Sequence, residues 1–305
     1  MSTVPAAPSI AINNILFATD FSAISDSAMP FARAVARHYF ARLHLLHVLV
    51  PANYLPIQPE PYTSAAPVLA REYAIVARAE AQRKMMCLYQ GGQLSGIPWD
   101  VSIREGEIAA EIQAAIAEHQ VDLVVLGTHG RSGFHKLLLG SVAEEIFRTT
   151  TCPVLTAGPK LFRGEEHGIH IRNVLCATDF SASAPRVVSF ASHLAGDHKA
   201  VVTWLHVARG SADELPFRRR MAMENTRRRL NALIPGAGDA DPNVRIEFGA
   251  ASERILATAG ELRPDVIIMG ARGLGTIAAG STHLPGGTTV KVICQALCPV
   301  LTIRD

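Results

Sequence analysis

Short apolar runs alternate along the chain with longer stretches in which apolar residues recur every three or four positions. The runs Leu123-Val-Val-Leu126 and Val266-Ile-Ile-Met269 are apolar at every position, the pattern of strands covered on both faces by helices. The pattern predicts strands near residues 14–19, 42–48, 100–104, 121–126 and 153–157, with helices near 23–40, 68–90, 106–119 and 141–151. Strands alternating with amphipathic helices predict βα units and a parallel sheet.

The same pattern is then repeated. Leu16-Phe-Ala-Thr-Asp20-Phe-Ser22 returns as Leu175-Cys-Ala-Thr-Asp179-Phe-Ser181, and His47-Val48 returns as His206-Val207 at the same offset of 159. Val121-Asp-Leu-Val-Val-Leu-Gly127 is answered by Pro264-Asp-Val-Ile-Ile-Met-Gly270, and Cys152-Pro-Val-Leu-Thr156 by Cys298-Pro-Val-Leu-Thr302. Solenoid units are far shorter, whereas this period suits one ordinary domain. The expectation is two tandem domains, 1–160 and 170–305, joined by Ala157 to Gly168.

Between the strand ending at Leu126 and the next helix stands Gly127-Thr-His-Gly130-Arg131, and nine residues after Gly130 come Gly140-Ser141. Glycines let a backbone turn tightly and approach a ligand. Free N–H groups and the positive dipole end at a helix start favour an anion. The bland reading is that the glycines end a strand and that Ser141, three residues before Glu144, opens a capping box.

The spacing G-x2-G-x9-G-[ST] resembles the ATP-binding signature of the universal stress protein family. The resemblance implies two Rossmann-like α/β domains of the adenine nucleotide alpha hydrolase type, each a five-stranded parallel sheet of order 3-2-1-4-5. The crevice of such a sheet lies beside strands one and four. It also implies that Asp20 lies against the nucleotide or its magnesium ion, with Ala18 and Thr19 as the adjoining wall, and that the backbone of Val48 contacts adenine. Gly127, Gly130, Gly140 and Ser141 then hold phosphate, and Arg131 supplies a cation to phosphates or ribose. For Asp20 an Asx turn or helix cap is an equal and compatible reading. In this family the last strand commonly pairs with its counterpart in another domain. Val154 and Leu155 are therefore expected to face Val300 and Leu301 across or near the contact of an internal pseudo-dimer, and a homodimer of chains is a further expectation.

The second half departs from the pattern. Asp179, Val207, Gly270 and Gly273 are in place, but Leu274 replaces Arg131. The loop before the helix is three residues longer, so that Gly286, Gly287 and Thr288 become the candidates for the helix opening. A helix start displaced from the phosphate position, and ATP nearer one than two per chain, are the expectations.

Composition sets limits. At 49% hydrophobic and 18% charged, with a formal net charge of +2, the chain has no strong field for nucleic acid or a membrane surface. No secretory pattern opens it and no apolar run reaches 18 residues, so no membrane span is expected. The five cysteines, Cys87, Cys152, Cys176, Cys294 and Cys298, include no C-x2-C pair and are expected as buried free thiols of a cytoplasmic protein. The pair His167 and His170 is read as exposed linker histidines. Arg218 to Arg220 and Arg227 to Arg229 are read as a solvated helix face, with an acidic partner as the alternative. Residues 51–67 are expected to form an extended loop over strand two, and His135 and Lys136 a solvated stretch of the glycine loop.

No Walker GxxxxGK[ST] or pyrophosphatase Ser-Gly-Gly-x-Asp loop occurs, and no catalytic residue is assigned. The leading function is an ATP-binding, stress-responsive sensor or regulator that acts by binding a protein partner. The alternatives are a slow ATPase or nucleotide-dependent transferase, with Asp20 or His129 beside the loop, and a scaffold whose nucleotide is incidental.

Overall fold

The computed structural model describes residues 10–51, 66–90, 92–128, 139–161, 170–208, 216–236, 242–271 and 287–304. The first half runs β1 (Asn14–Ala18), α1 (Ala23–Tyr39), β2 (Arg42–Leu49), α2 (Ala66–Gln90), β3 (Trp99–Glu105), α3 (Ile108–Glu118), β4 (Leu123–Gly127), α4 (Ser141–Thr149) and β5 (Val154–Ala157). The second half repeats it: β6 (Asn173–Ala177), α5 (Ala184–His198), β7 (Val201–Ala208), α6 (Pro216–Leu233), β8 (Val244–Phe248), α7 (Ala251–Leu262), β9 (Val266–Gly270), α8 (Gly287–Gln295) and β10 (Val300–Ile303).

The strands form one sheet in the order β3-β2-β1-β4-β5-β10-β9-β6-β7-β8. Each half therefore has the order 3-2-1-4-5, parallel throughout, and the halves join where β5 runs antiparallel to β10. Because the sheet is covered on both sides, successive strand residues feed different cores. Ile15 and Phe17 pack with Ala28, Met29 and Ala32 of α1 and Met85 of α2. Leu16 lies on the opposite face with Ile112 of α3 and Ile146 and Phe147 of α4. The helices after β1 and after β4 thus lie on opposite faces, which opens the crevice at the carboxyl ends of these two neighbours.

β4 begins at Leu123, two residues later than the apolar run suggests. The Asp122 carboxylate accepts from the N–H groups of Asn13 (2.7 Å) and Asn14 (3.0 Å), tying the start of β4 to the start of β1. Asp265 does the same for Arg172 and Asn173, at 2.7 and 2.8 Å.

The seam between halves brings Val154 and Leu155 to the contact with Val300 and Leu301, as expected. Leu155 stands opposite Leu301, but Val154 faces Thr302 and Val300 faces Thr156. The threonines close the register: Thr156 Oγ1 donates to Val300 O at 3.0 Å, and Thr302 Oγ1 to Val154 O at 3.3 Å. β5 is consequently an interior strand, and Pro153 and Pro299 stand just before their strands rather than on an edge. All five cysteines are free, yet Cys87 is exposed, because α2 turns much of its surface to solvent, and Cys152 and Cys298, just before β5 and β10, are only part-buried. Among the described residues, no helix is long and apolar enough to cross a membrane.

Candidate functional site

The chain leaves β1 through Thr19-Asp20-Phe21-Ser22, a turn fixed at nearly every polar atom. Thr19 N–H donates to Leu46 O of β2 (2.9 Å), and the His47 imidazole donates from Nδ1 to Thr19 O (2.7 Å). Thr19 Oγ1 accepts from Phe21 N–H and from Ser25 Oγ, both at 2.9 Å. Asp20 Oδ1 accepts from Ser22 N–H at 3.0 Å, and Ser22 Oγ caps α1 by accepting from Ser25 N–H at 3.2 Å. The Asx-turn reading of Asp20 is therefore realised.

Phe21 has φ 60°, a left-handed conformation that a bulky residue adopts at a cost of about 1–3 kcal/mol. Its ring rests on His47, with centroids 4.4 Å apart, and Lys84 of α2 lies 5.8 Å over the ring. Ala18 ends β1 opposite Leu46, and Val48, two residues further along β2, is buried in the core beneath α3.

Across the crevice the glycines play different parts. Gly127 has no positive φ, and a Cβ there would meet the α1 backbone at Ser25 N (2.9 Å), Ser25 Cα (3.0 Å) and the Ile24 carbonyl carbon (3.2 Å). Its missing side chain lets the first turn of α1 approach β4. That packing role is independent of the ligand approach expected of this glycine.

Thr128, fully buried, donates its N–H to Ala157 O (3.0 Å) and accepts at its carbonyl from Gly140 N–H (2.8 Å). The loop thereby leaves and returns through one closed neck. Gly140, not Ser141, is the N-cap of α4, and it offers no side chain to the first-turn N–H groups. The capping-box reading of Ser141 therefore fails. Gly130 and Arg131, with His129, His135 and Lys136, fall outside the described residues.

The second half reproduces the turn. His206 Nδ1 donates to Thr178 O (2.8 Å), Asp179 Oδ1 accepts from Ser181 N–H (3.1 Å), and Phe180 repeats φ 60° with its ring 4.5 Å from His206. Burial holds the His206 imidazole below its ordinary range, against the opposing pull of its bond to Thr178 O. Val207 follows in β7, part-buried on the α7 face.

Two differences stand out. Ala184 replaces Ser25, and among the described residues the buried Thr178 Oγ1 has no hydrogen-bond partner. Arg229 of α6 lies 3.9 Å over Phe180, much closer than its counterpart Lys84 lies to Phe21.

The second half also keeps the helix register. α4 and α8 both begin twelve residues before the proline of Cys-Pro-Val-Leu (Ser141 to Pro153, Gly287 to Pro299), so Gly287 takes the place of Ser141. The extra length lies within 272–286, outside the described residues with Gly273 and Gly286. What differs is a bond: Thr289 Oγ1 donates to Gly270 O at 3.1 Å, pinning α8 to the end of β9, where the first half has Ala143. Thr288 lies between them in the first turn of α8.

The structure thus gathers Ala18, Thr19, Asp20, Gly127, Gly140 and Ser141 at the carboxyl ends of β1 and β4. Sequence reasoning used His47 and His206 only as markers of the repeat, and missed that each imidazole holds the carbonyl before the aspartate. Their constant offset beside a repeated Thr-Asp was the available signal. Lys84 and Arg229 carried none, since the helices that bring them there share no sequence pattern.

A family model described as the universal stress protein family matches residues 11–157 and again residues 170–304. A universal stress protein of Mycolicibacterium smegmatis is 26% identical over 299 residues, covering 95% of this chain and 96% of that protein. A Thermus aquaticus protein, named universal stress protein in QAH/OAS sulfhydrylase 3' region, is 35% identical over 144 residues, 46% of this chain and 95% of the relative. Among solved structures, a universal stress protein of Archaeoglobus fulgidus has the same fold, with a TM-score of 0.65 at 24% identity over 97% of this chain and 98% of that one.

Proposed function

Because the chain belongs to the universal stress protein family, we propose that its first half binds ATP at the crevice between β1 and β4 and that it acts by binding, as a nucleotide-dependent regulator. The observation that carries this reading is the neck from Thr128 to Gly140, which brings an α4 start without side-chain cap to the crevice that also holds Asp20. Uncapped first-turn N–H groups suit phosphate oxygens, and a carboxylate at the same edge suits a magnesium ion shared with them. Asp20 would hold the metal; Gly140 and Ser141 would meet the phosphates, with Gly130 and Arg131 completing the loop. Ala18, Thr19 and Val48 would line the adenosine side. Magnesium there would neutralise phosphate charge.

In the second half Thr289 spans the corresponding strand end and Leu274 replaces the arginine. Asp179, Val207, Gly270, Gly273, Gly286, Gly287 and Thr288 accordingly form the weaker site, and ATP is expected nearer one than two per chain. Calorimetry with ATP and magnesium tests this: Asp20→Ala removes most of the heat and Asp179→Ala little. Two equal sites, or a dominant effect of Asp179→Ala, would overturn the assignment. Sustained ATP turnover by the pure protein would favour an enzyme over a binding module.

A further inference from the structure

At the sheet edge opposite Asp20, near the amino ends of β2 and β3, three groups of metal-ligand type converge. His44, Leu46 and Val48 point to one face of β2, as alternate strand residues do, and His44 is only 5% exposed. Its register partner on β3 is Asp100, whose carboxylate oxygens lie 3.0 and 2.9 Å from His44 Nδ1. On the far side, His44 Nε2 is 3.2 Å from Asn14 Oδ1. The ring therefore sits between two oxygen acceptors. If Nε2–H donates to Asn14, the Nδ1 lone pair faces a carboxylate, an arrangement that asks for a second proton or a cation. His119, the C-cap of α3, stacks on His44 with centroids 4.1 Å apart, and ligand atoms of all three residues lie within 4.8 Å of one another.

The internal repeat supplies a control for what the fold itself needs. The second-half counterpart of His44 is Thr203, which also stands opposite the middle of the central strand. Asn243 takes the position of Asp100 and donates from Nδ2 to Thr203 Oγ1 at 2.8 Å. Leu262, three residues before Asp265 as His119 is before Asp122, replaces the second imidazole. The architecture thus uses a polar pair at this register but no imidazole and no carboxylate. The first half alone has a ligand-type group at all three places.

We propose that His44, Asp100 and His119 form a binding site for a zinc-class transition-metal dication, distinct from the nucleotide crevice. Two imidazoles and a carboxylate are borderline nitrogen and oxygen donors, a set that suits such ions better than calcium or magnesium. Tetrahedral zinc with bonds near 2.1 Å spaces its ligands by about 3.4 Å, so the His44 and Asp100 atoms need to part by about half an ångström. The stacked His119 ring must turn to aim a nitrogen at the ion. Its side chain is 24% exposed at a helix end, beside Glu118 Oε1 at 3.7 Å. Glu118 is itself held by Arg104 at 2.6 Å and Arg42 lies 3.8 Å from Asp100, so water is left as the fourth ligand.

The test uses the full chain after chelation, titrated with zinc chloride by calorimetry and with cobalt by visible absorption. The comparison is the triple variant His44→Thr, Asp100→Asn, His119→Leu, which installs the second half's own residues. The wild type is expected to take up one zinc ion that the variant does not, to show a cobalt d–d band that the variant lacks, and to melt higher with zinc than without. In chelator the two should melt alike. Should the triple variant fail to fold, the single His119→Leu change at the helix end is expected to weaken zinc more than about tenfold. Equal uptake and affinity in wild type and variant, or a wild type that takes up no zinc, would overturn the site.

Discussion

Replacing Gly127 with alanine separates a packing glycine from a ligand-approach glycine. The new Cβ would stand 2.9 Å from Ser25 N, 3.0 Å from Ser25 Cα and 3.2 Å from the Ile24 carbonyl carbon, and all three atoms belong to the first turn of α1. Ordinary carbon contacts begin several tenths of an ångström further out, so that turn must retreat from β4. It is not free to do so, because Ser25 N is held by Ser22 Oγ and Ser25 Oγ by Thr19 Oγ1. Overpacking of this kind costs about 1–3 kcal/mol, and each neutral hydrogen bond stretched beyond use adds about 0.5–1.5 kcal/mol. Gly127→Ala should thus lose about 2–4 kcal/mol without any nucleotide present, read from urea unfolding at unchanged slope. A variant with wild-type stability and merely weakened ATP binding would refute the packing account.

Ala184→Ser restores the hydroxyl that the first half has at Ser25 and gives the buried Thr178 Oγ1 a donor; urea unfolding should show a gain of about 0.5–1.5 kcal/mol, and Ser25→Ala a similar loss. Leu155→Asp places a carboxylate opposite Leu301 in the seam and should cost more than about 3 kcal/mol, splitting the unfolding curve or exposing residues near the seam to protease; a single unshifted transition would count against a continuous sheet. His198 stacks on His38 at 3.7 Å beside the bond from Tyr39 OH to Asp197, with His170 also near, and burial foremost, then His38, lowers its pKa to about 4. Since the unfolded chain takes up this proton near pH 6.5, the stability this group contributes is complete above that pH and lost as pH falls toward 4. His198→Phe should flatten the urea midpoint over that window, and an unchanged slope would remove His198 as the cause.

Much of the fold was legible because the apolar runs are continuous and the helices periodic, and element ends shifted by a residue or two, as at β4, where Asp122 intercepts the ladder. The strand order came from the resemblance, since periodicity says nothing about which strands neighbour. The repeat made the Asp20 turn visible twice. It could not reveal that Gly127 answers to α1, because a close approach of two backbones leaves the same single letter as a phosphate loop. Nor could loop length show that α8 keeps the register of α4; counting residues fixes where an insertion lies in sequence, not which end of the loop absorbs it. The His44, Asp100 and His119 cluster draws one residue from each of three elements, and only the pairing of β2 with β3 brings them together.

The antiparallel seam also sets a timetable for synthesis. Thr156 and the carbonyl it binds at Val300 are 144 residues apart, so the first half can emerge and close its own sheet long before its partner strand exists. At a synthesis rate of about 5–20 residues per second, β5 waits about 7–30 s as an unpaired edge. During that interval Val154 and Leu155 belong to a sheet that accepts any parallel or antiparallel guest. A nascent chain, a truncated product or a neighbour on the same messenger offers the same strand, and the fused second half secures the match by arriving tethered, at a local concentration that a free competitor must exceed.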